Sequence, residues 1–189
     1  MNFLGHLYFS DNDLDLMIAN LFGDFVKGKK YLDYSIKIQK GVVLHRKIDS
    51  YIDTHPNVKE LRIKLYKDLP KVAGVAIDLY FDHLLAIHWN RYHTHSFEMF
   101  LEKFYEHRSE LEVELSLEFI NFLKQLREHK WINYYPTVYG LERVCSGVCN
   151  RISFKNNLDE APKVFALREK EIEEVFFLFM KDANKELTK

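Results

Sequence analysis

Apolar residues recur at three- and four-residue intervals along most of this 189-residue chain, and only four prolines and seven glycines interrupt them. Phe97, Phe100, Leu101, Phe104 and Tyr105 trace one stripe, and Phe119, Ile120, Leu123 and Leu126 a second. Ile172, Val175, Phe176, Phe179 and Met180 trace a third. That period belongs to helices that bury one face, and no long run alternates as a half-buried strand does. The expectation is an all-α fold, a single-domain helical bundle over residues 1–189, a length that can bury one sizeable core. No internal repeat, low-complexity tract or composition shift divides it.

Breakers and caps suggest the boundaries. The acidic turn Asp11-Asn12-Asp13 offers N-caps for a helix over about residues 13–27, which Gly28 is placed to end. Residues 41–53 lie in a helix that stops before Pro56, because the residue preceding proline disfavours the helical region. Pro56 fits the first turn of the next helix. Pro70 opens another, running to about Arg91. Residues 131–136 and a helix over 137–151 are expected to wall a substrate pocket, with Arg143 and Arg151 as its cations.

Polar residues on these helices carry the chemistry. Leu44, Ile48, Tyr51 and Ile52 form an apolar stripe, and His45, Asp49 and Asp53 recur at i, i+4 and i+8 about 100° away from it. Asp78 and Asp82 share a face with Leu85 and Trp89, while His83 turns toward the line of Leu79 and Ala86. Asn20 and Asp24 make a polar notch, and His6 interrupts an apolar N-terminal segment. Together these are too many polar groups to leave unpaired in a helical core. Mixed imidazole and carboxylate donors suit manganese, iron, zinc or magnesium. Such an ion serves phosphoester hydrolysis by acidifying water and neutralising phosphoryl charge. The competing explanation is a set of structural ion pairs, such as Arg46 with an aspartate. His88, His93 and His95 read as surface residues, and Cys145 and Cys149, one turn apart, as packing residues.

A net charge of −1 argues against a general nucleic-acid binder. The longest apolar cluster, residues 175–180, is too short to span a bilayer, and no signal-peptide pattern opens the chain. A cytoplasmic protein off the membrane is expected, with its oligomeric state left open.

The motifs Asn2-Phe-Leu-Gly-His6, Asn20-Leu-Phe-Gly-Asp24-Phe, His45-Arg46-Lys-Ile-Asp49 with Asp53, and Asp78-Leu-Tyr-Phe-Asp82-His83 with Trp89 together resemble the acyl carrier protein phosphodiesterase family. The likeness covers nearly the whole chain, with the sharp motifs in its first half. It implies removal of the 4′-phosphopantetheine arm from the serine of holo-acyl carrier protein, leaving the apo form. It also implies a divalent ion, Mn(2+) foremost, with Mg(2+) or Fe(2+) as alternatives. The family is held to be distantly like the HD phosphohydrolases, whose His-Asp dipeptide binds metal; here the order is Asp82-His83. On that resemblance Asp24, His45, Asp82 and His6 are the expected metal ligands, and Asp49 or Asp78 would orient them. His83 would protonate the departing serine oxygen and Arg46 would neutralise phosphate. Because acyl carrier proteins are acidic, Lys59, Arg62, Lys64 and Lys67 become the expected docking surface. Two other readings compete. One is a phosphohydrolase acting on a nucleotide or other small phosphoester. The other is a non-catalytic binding module whose aspartates pair with Arg46, Arg62 or Lys47.

Overall fold

Helix is the only regular structure among residues 1–187, the part of the chain that the computed structural model describes. The helices are α1 (Phe3–Tyr8), α2 (Leu14–Leu21), α3 (Ile36–Thr54), α4 (Pro56–Leu65) and α5 (Ala73–Ile87). They continue with α6 (Phe97–Glu106), α7 (Leu117–His129), α8 (Val138–Arg151) and α9 (Ala161–Leu187), the last kinked at Arg168. Buried apolar side chains from all nine form one continuous cluster, so the all-α expectation holds. No helix among the described residues is long and apolar enough to cross a membrane.

The expected caps act where the chemistry put them, and the ends differ. The Asp13 carboxylate accepts from the Leu16 amide at 3.0 Å and starts α2. That helix stops at Leu21 instead of continuing to residue 27, because a 3-10 turn at Phe22–Phe25 tightens the chain first. Gly28, at φ +59°, lies beyond that turn. Pro56 begins α4 directly after α3 ends. α5 is shorter than expected at both ends, and buried Trp89 sits in a separate 3-10 turn with its indole N–H on the His95 carbonyl. His88, His93 and His95 are half-buried rather than surface residues, His88 bonding Glu173 at 2.6 Å.

The inward face of α3 is Ile38, Gly41, Val42, His45, Ile48 and Ile52, while Leu44 and Tyr51 are only half-buried. His45 therefore lies on the buried stripe itself and not on its shoulder. Tight packing of α3 on α2 selects this face, because Gly41 offers no side chain there. A Cβ at Gly41 would collide with Ala19 and the Asn20 backbone. In an open helix Gly→Ala stabilises by about 1 kcal/mol. Here Gly41→Ala is expected to destabilise the fold by about 1–3 kcal/mol through overpacking. Denaturant unfolding reads the sign directly, and a variant as stable as the parent would contradict the close approach of α2 and α3.

Candidate metal centre

Asn20, buried on α2, orients two imidazoles. Its Nδ2 donates to the His6 carbonyl at 3.0 Å and to Ser10 Oγ at 3.1 Å, which leaves Oδ1 as the acceptor facing His6 Nδ1 at 3.0 Å. The Asn20 backbone carbonyl faces His45 Nδ1 at 2.9 Å. Carbonyl oxygens only accept, so both Nδ1 atoms donate and each neutral ring carries its lone pair on Nε2. The rings stack with centroids 4.0 Å apart. Gly23 permits this, since a Cβ there would collide with the His45 ring.

Around the two Nε2 atoms only acceptors are found. His6 Nε2 lies 3.0 Å from the Met1 carbonyl and 3.3 Å from Asp49 Oδ1. His45 Nε2 lies 3.2 Å from Asp49 Oδ2 and 3.3 Å from Asp24 Oδ1. Lone pairs facing carbonyl and carboxylate oxygens repel unless a proton or metal cation lies among them. One donor atom from each of His6, His45 and Asp49 lies within 4.8 Å of the other two. A carbonyl on the far nitrogen of each ring is how metal-binding histidines are commonly fixed. The residues present therefore fit a divalent ion, with the two neutral nitrogens and Asp49 as the converging donors and Asp24, which reaches His45 Nε2 at 3.3 Å but lies outside that trio, as a second negative charge beside it.

Protonation agrees with this balance. Burial pulls the His45 imidazole down, but Asp24 and Asp49 outweigh it and push it up to about 9. Burial, then the neighbouring His45 and the Met1 amino group, hold His6 below its ordinary value despite Asp49. Burial works against the charge of Asp49 and Asp24, yet the adjoining histidines keep both carboxyls below the usual range. The pair borders an open cavity of about 330 Å³, whose wall also carries Asp53, Asp78 and Val148.

The remaining expected residues fall into three settings. Asp78 lines the cavity and accepts from the Met1 amino group at 3.0 Å. Asp82, expected as a ligand, is fully buried and outside the donor cluster. Its two oxygens accept from the Leu4 and Gly5 amides at 2.7 and 3.0 Å, and burial pushes its carboxyl up to about 7 against those bonds. It thereby anchors the first turn of α1, the helix that carries His6. His83, expected as a proton donor, is buried with Nδ1 on the Tyr135 carbonyl at 2.5 Å and its ring edge against Phe165. It lines a small void with Asp82 and Tyr135 and is not among the residues lining the acidic cavity, although Asn2 and Leu79 border both. Arg46 pairs with no aspartate: it donates to the Val26 and Gly28 carbonyls and lies over the Tyr31 ring, tying down the loop after Asp24. Of Asp24, Asp49, Asp53, Asp78 and Asp82, Asp53 alone takes the arginine pairing that a binding module would show, with Arg62 at 3.2 Å. The one-turn spacing of Asn20 to Asp24 marks it as a buried polar residue, but nothing in the sequence assigns it the orienting role that the structure shows.

A family model described as acyl carrier protein phosphodiesterase matches residues 1–183 of the chain. A protein of Yersinia enterocolitica named acyl carrier protein phosphodiesterase is 32% identical over 155 residues, 80% of this chain and 79% of its own. Proteins of the same name from Klebsiella pneumoniae and Salmonella agona are each 30% identical over 155 residues, with the same coverage. No solved structure matches the chain.

Two measurements follow from the geometry. Asn20→Ala frees the His6 ring and is expected to weaken divalent-ion binding by about 10- to 100-fold, read by calorimetric titration with manganese on folded protein; unchanged affinity would contradict the orienting role. A second titration reads protons. Below about 9 the metal-free His45 holds a proton that an ion must displace, so affinity should rise with pH and binding at pH 7 should release close to one proton. Heats that do not vary with the buffer's ionisation enthalpy would exclude that displacement.

Proposed function

The chain belongs to the acyl carrier protein phosphodiesterase family, and on that premise we propose that it hydrolyses the 4′-phosphopantetheine–serine linkage of holo-acyl carrier protein in the cytoplasm, giving the apo carrier. The observation that carries this reading is the convergence of the His6 and His45 lone pairs with the Asp24 and Asp49 carboxylates at one open cavity. These four residues would hold a divalent ion, Mn(2+) by preference with Mg(2+) or Fe(2+) as alternatives. When bound, the ion supplies Lewis acidity, acidifying water and neutralising phosphoryl charge.

The chain's own groups do the positioning. Both alcohols flanking the phosphodiester are primary, so leaving-group ability barely separates them, and selectivity must come from holding the diester in one orientation. Asp82 and Asn20 support that orientation by fixing α1 and the two imidazoles. Of the other two carboxylates at the cavity wall, Asp53 is taken by Arg62, and Asp78, held by the Met1 amino group, is the one that would align water. Arg46 acts through the loop that follows Asp24 and not as a free phosphate clamp.

An acidic carrier would dock along α4. Lys59 and Lys67 are exposed and have no ion-pair partner among the described residues. Lys64 is paired with Glu171, and Arg62 is bonded to Asp53, which lines the cavity. Complementary charge on this face favours encounter rate and orientation.

Incubation with holo-carrier and manganese, followed by intact mass of the carrier, tests the reading: loss of the phosphopantetheine mass is the expected result. Turnover of free nucleotides with no change in the carrier would overturn the substrate. Asp24→Asn alters an exposed side chain at little cost to the fold and should lower kcat/KM by more than about a hundredfold, beyond what an orienting residue gives. Near-parental turnover in that variant would remove Asp24 from the site.

A further inference from the structure

Arg143, Gly147 and Arg151 follow one another at four-residue intervals on α8, so they share one face of the helix. Beside that face lies an open groove of about 510 Å³ whose other walls include Phe3, Phe122, Trp131, Tyr134 and Tyr139. Its size is within the range of small-molecule sites. Gly147 is exposed, and a Cβ there would meet nothing within 4 Å. Gly140, earlier on the same helix, is required by packing, because a Cβ would collide with the Tyr134 backbone. Nothing comparable requires Gly147, although glycine is among the least favourable residues in a helix interior. At this point the groove is bordered by bare backbone.

Both arginines are available for binding. Arg143 has no hydrogen bond or ion pair among the described residues, and Arg151 bonds only the Gly147 carbonyl, at 3.3 Å, through Nε. Guanidinium groups offer donors and no acceptors, so they match a ligand rich in carbonyl oxygens. The groove also adjoins the acidic cavity. Val144 and Gly147 line the groove and Val148 the cavity; Phe3 lines the groove and Asn2 the cavity. Adjacent residues are about 3.8 Å apart along the chain, so the two openings border the same turns of α8 and the same N-terminal segment.

We propose that this groove binds the arm of the carrier, the flexible amide-containing chain between the phosphodiester and the terminal thiol. The proposal rests on the phosphodiesterase reading and adds to it the site that sets substrate class. The arm's amide carbonyls accept from Arg143 and Arg151, its methyl and methylene groups lie on the aromatic wall, and it passes closest to the helix at Gly147.

The test is steady-state hydrolysis by the full manganese-loaded chain with holo-carrier, and separately with bis(4-nitrophenyl) phosphate, a diester that has no arm. Gly147→Leu fills the groove while improving helix propensity, so its melting temperature should be unchanged or higher. KM for holo-carrier is expected to rise at least about tenfold with kcat little changed, while hydrolysis of the armless diester stays at the parental rate. Pantetheine should inhibit carrier hydrolysis by the parent, and Arg143→Gln should weaken that inhibition. A parental KM in Gly147→Leu, or an equal loss on both substrates, overturns the groove as the arm site. If the parent cleaves the armless diester but never the carrier, the preceding functional reading fails, and this proposal fails with it.

Discussion

Two hydrogen bonds to one residue hold the site together: the Asn20 side-chain oxygen takes the Nδ1 proton of His6, and its backbone oxygen takes that of His45. Fixing those protons leaves both Nε2 lone pairs directed at the same carboxylate, Asp49. Much of the surrounding packing serves this arrangement. Gly41 lets α3 approach the Ala19–Asn20 backbone, and Gly23 leaves room for the His45 ring. Asp82 secures the start of α1, so that His6 meets Asn20 from the other side. A buried polar network of this kind is stable only when each member is satisfied; here His45 Nε2 is satisfied by a proton between Asp24 and Asp49, which leaves the His6 Nε2 lone pair facing oxygen.

Charge explains why this arrangement is tolerated. Asp24 is exposed and Asp49 half-buried, so water screens part of their mutual repulsion, while His45 can take up a proton between them. A divalent ion bound there would replace that proton and balance both carboxylates with the imidazoles neutral. Metal and proton would then compete for one place. The aromatic groove beside α8 contributes a different kind of selectivity: shape and donors along a chain, applied away from the reacting phosphorus.

Helical period, proline and cap chemistry made the fold legible in the sequence, and the i, i+4 spacing of His45 with Asp49 brought the two together as expected. What the sequence could not supply was rotation and partnership. The expected stripe runs through Leu44, yet contact with α2 turns α3 so that Gly41, Val42 and His45 face the core. Asp82 and His83 carried the right residue types, but α1 and Tyr135 use their polar atoms. Arg46 looked like a phosphate cation and binds backbone carbonyls instead. Asn20 was hard to rank because half of its work is done by a main-chain oxygen, which no residue type reveals.

The account rests on one cation lying among side chains from three separate segments. A crystal of the manganese-loaded protein, with data collected at the manganese absorption edge, tests this most directly. The expected result is a single anomalous peak bonded to Nε2 of His6 and of His45 and to carboxylate oxygen of Asp49 or Asp24. A peak held instead by Asp82 and His83, or no peak at saturating manganese with His45 still paired to Asp24 and Asp49, would contradict it.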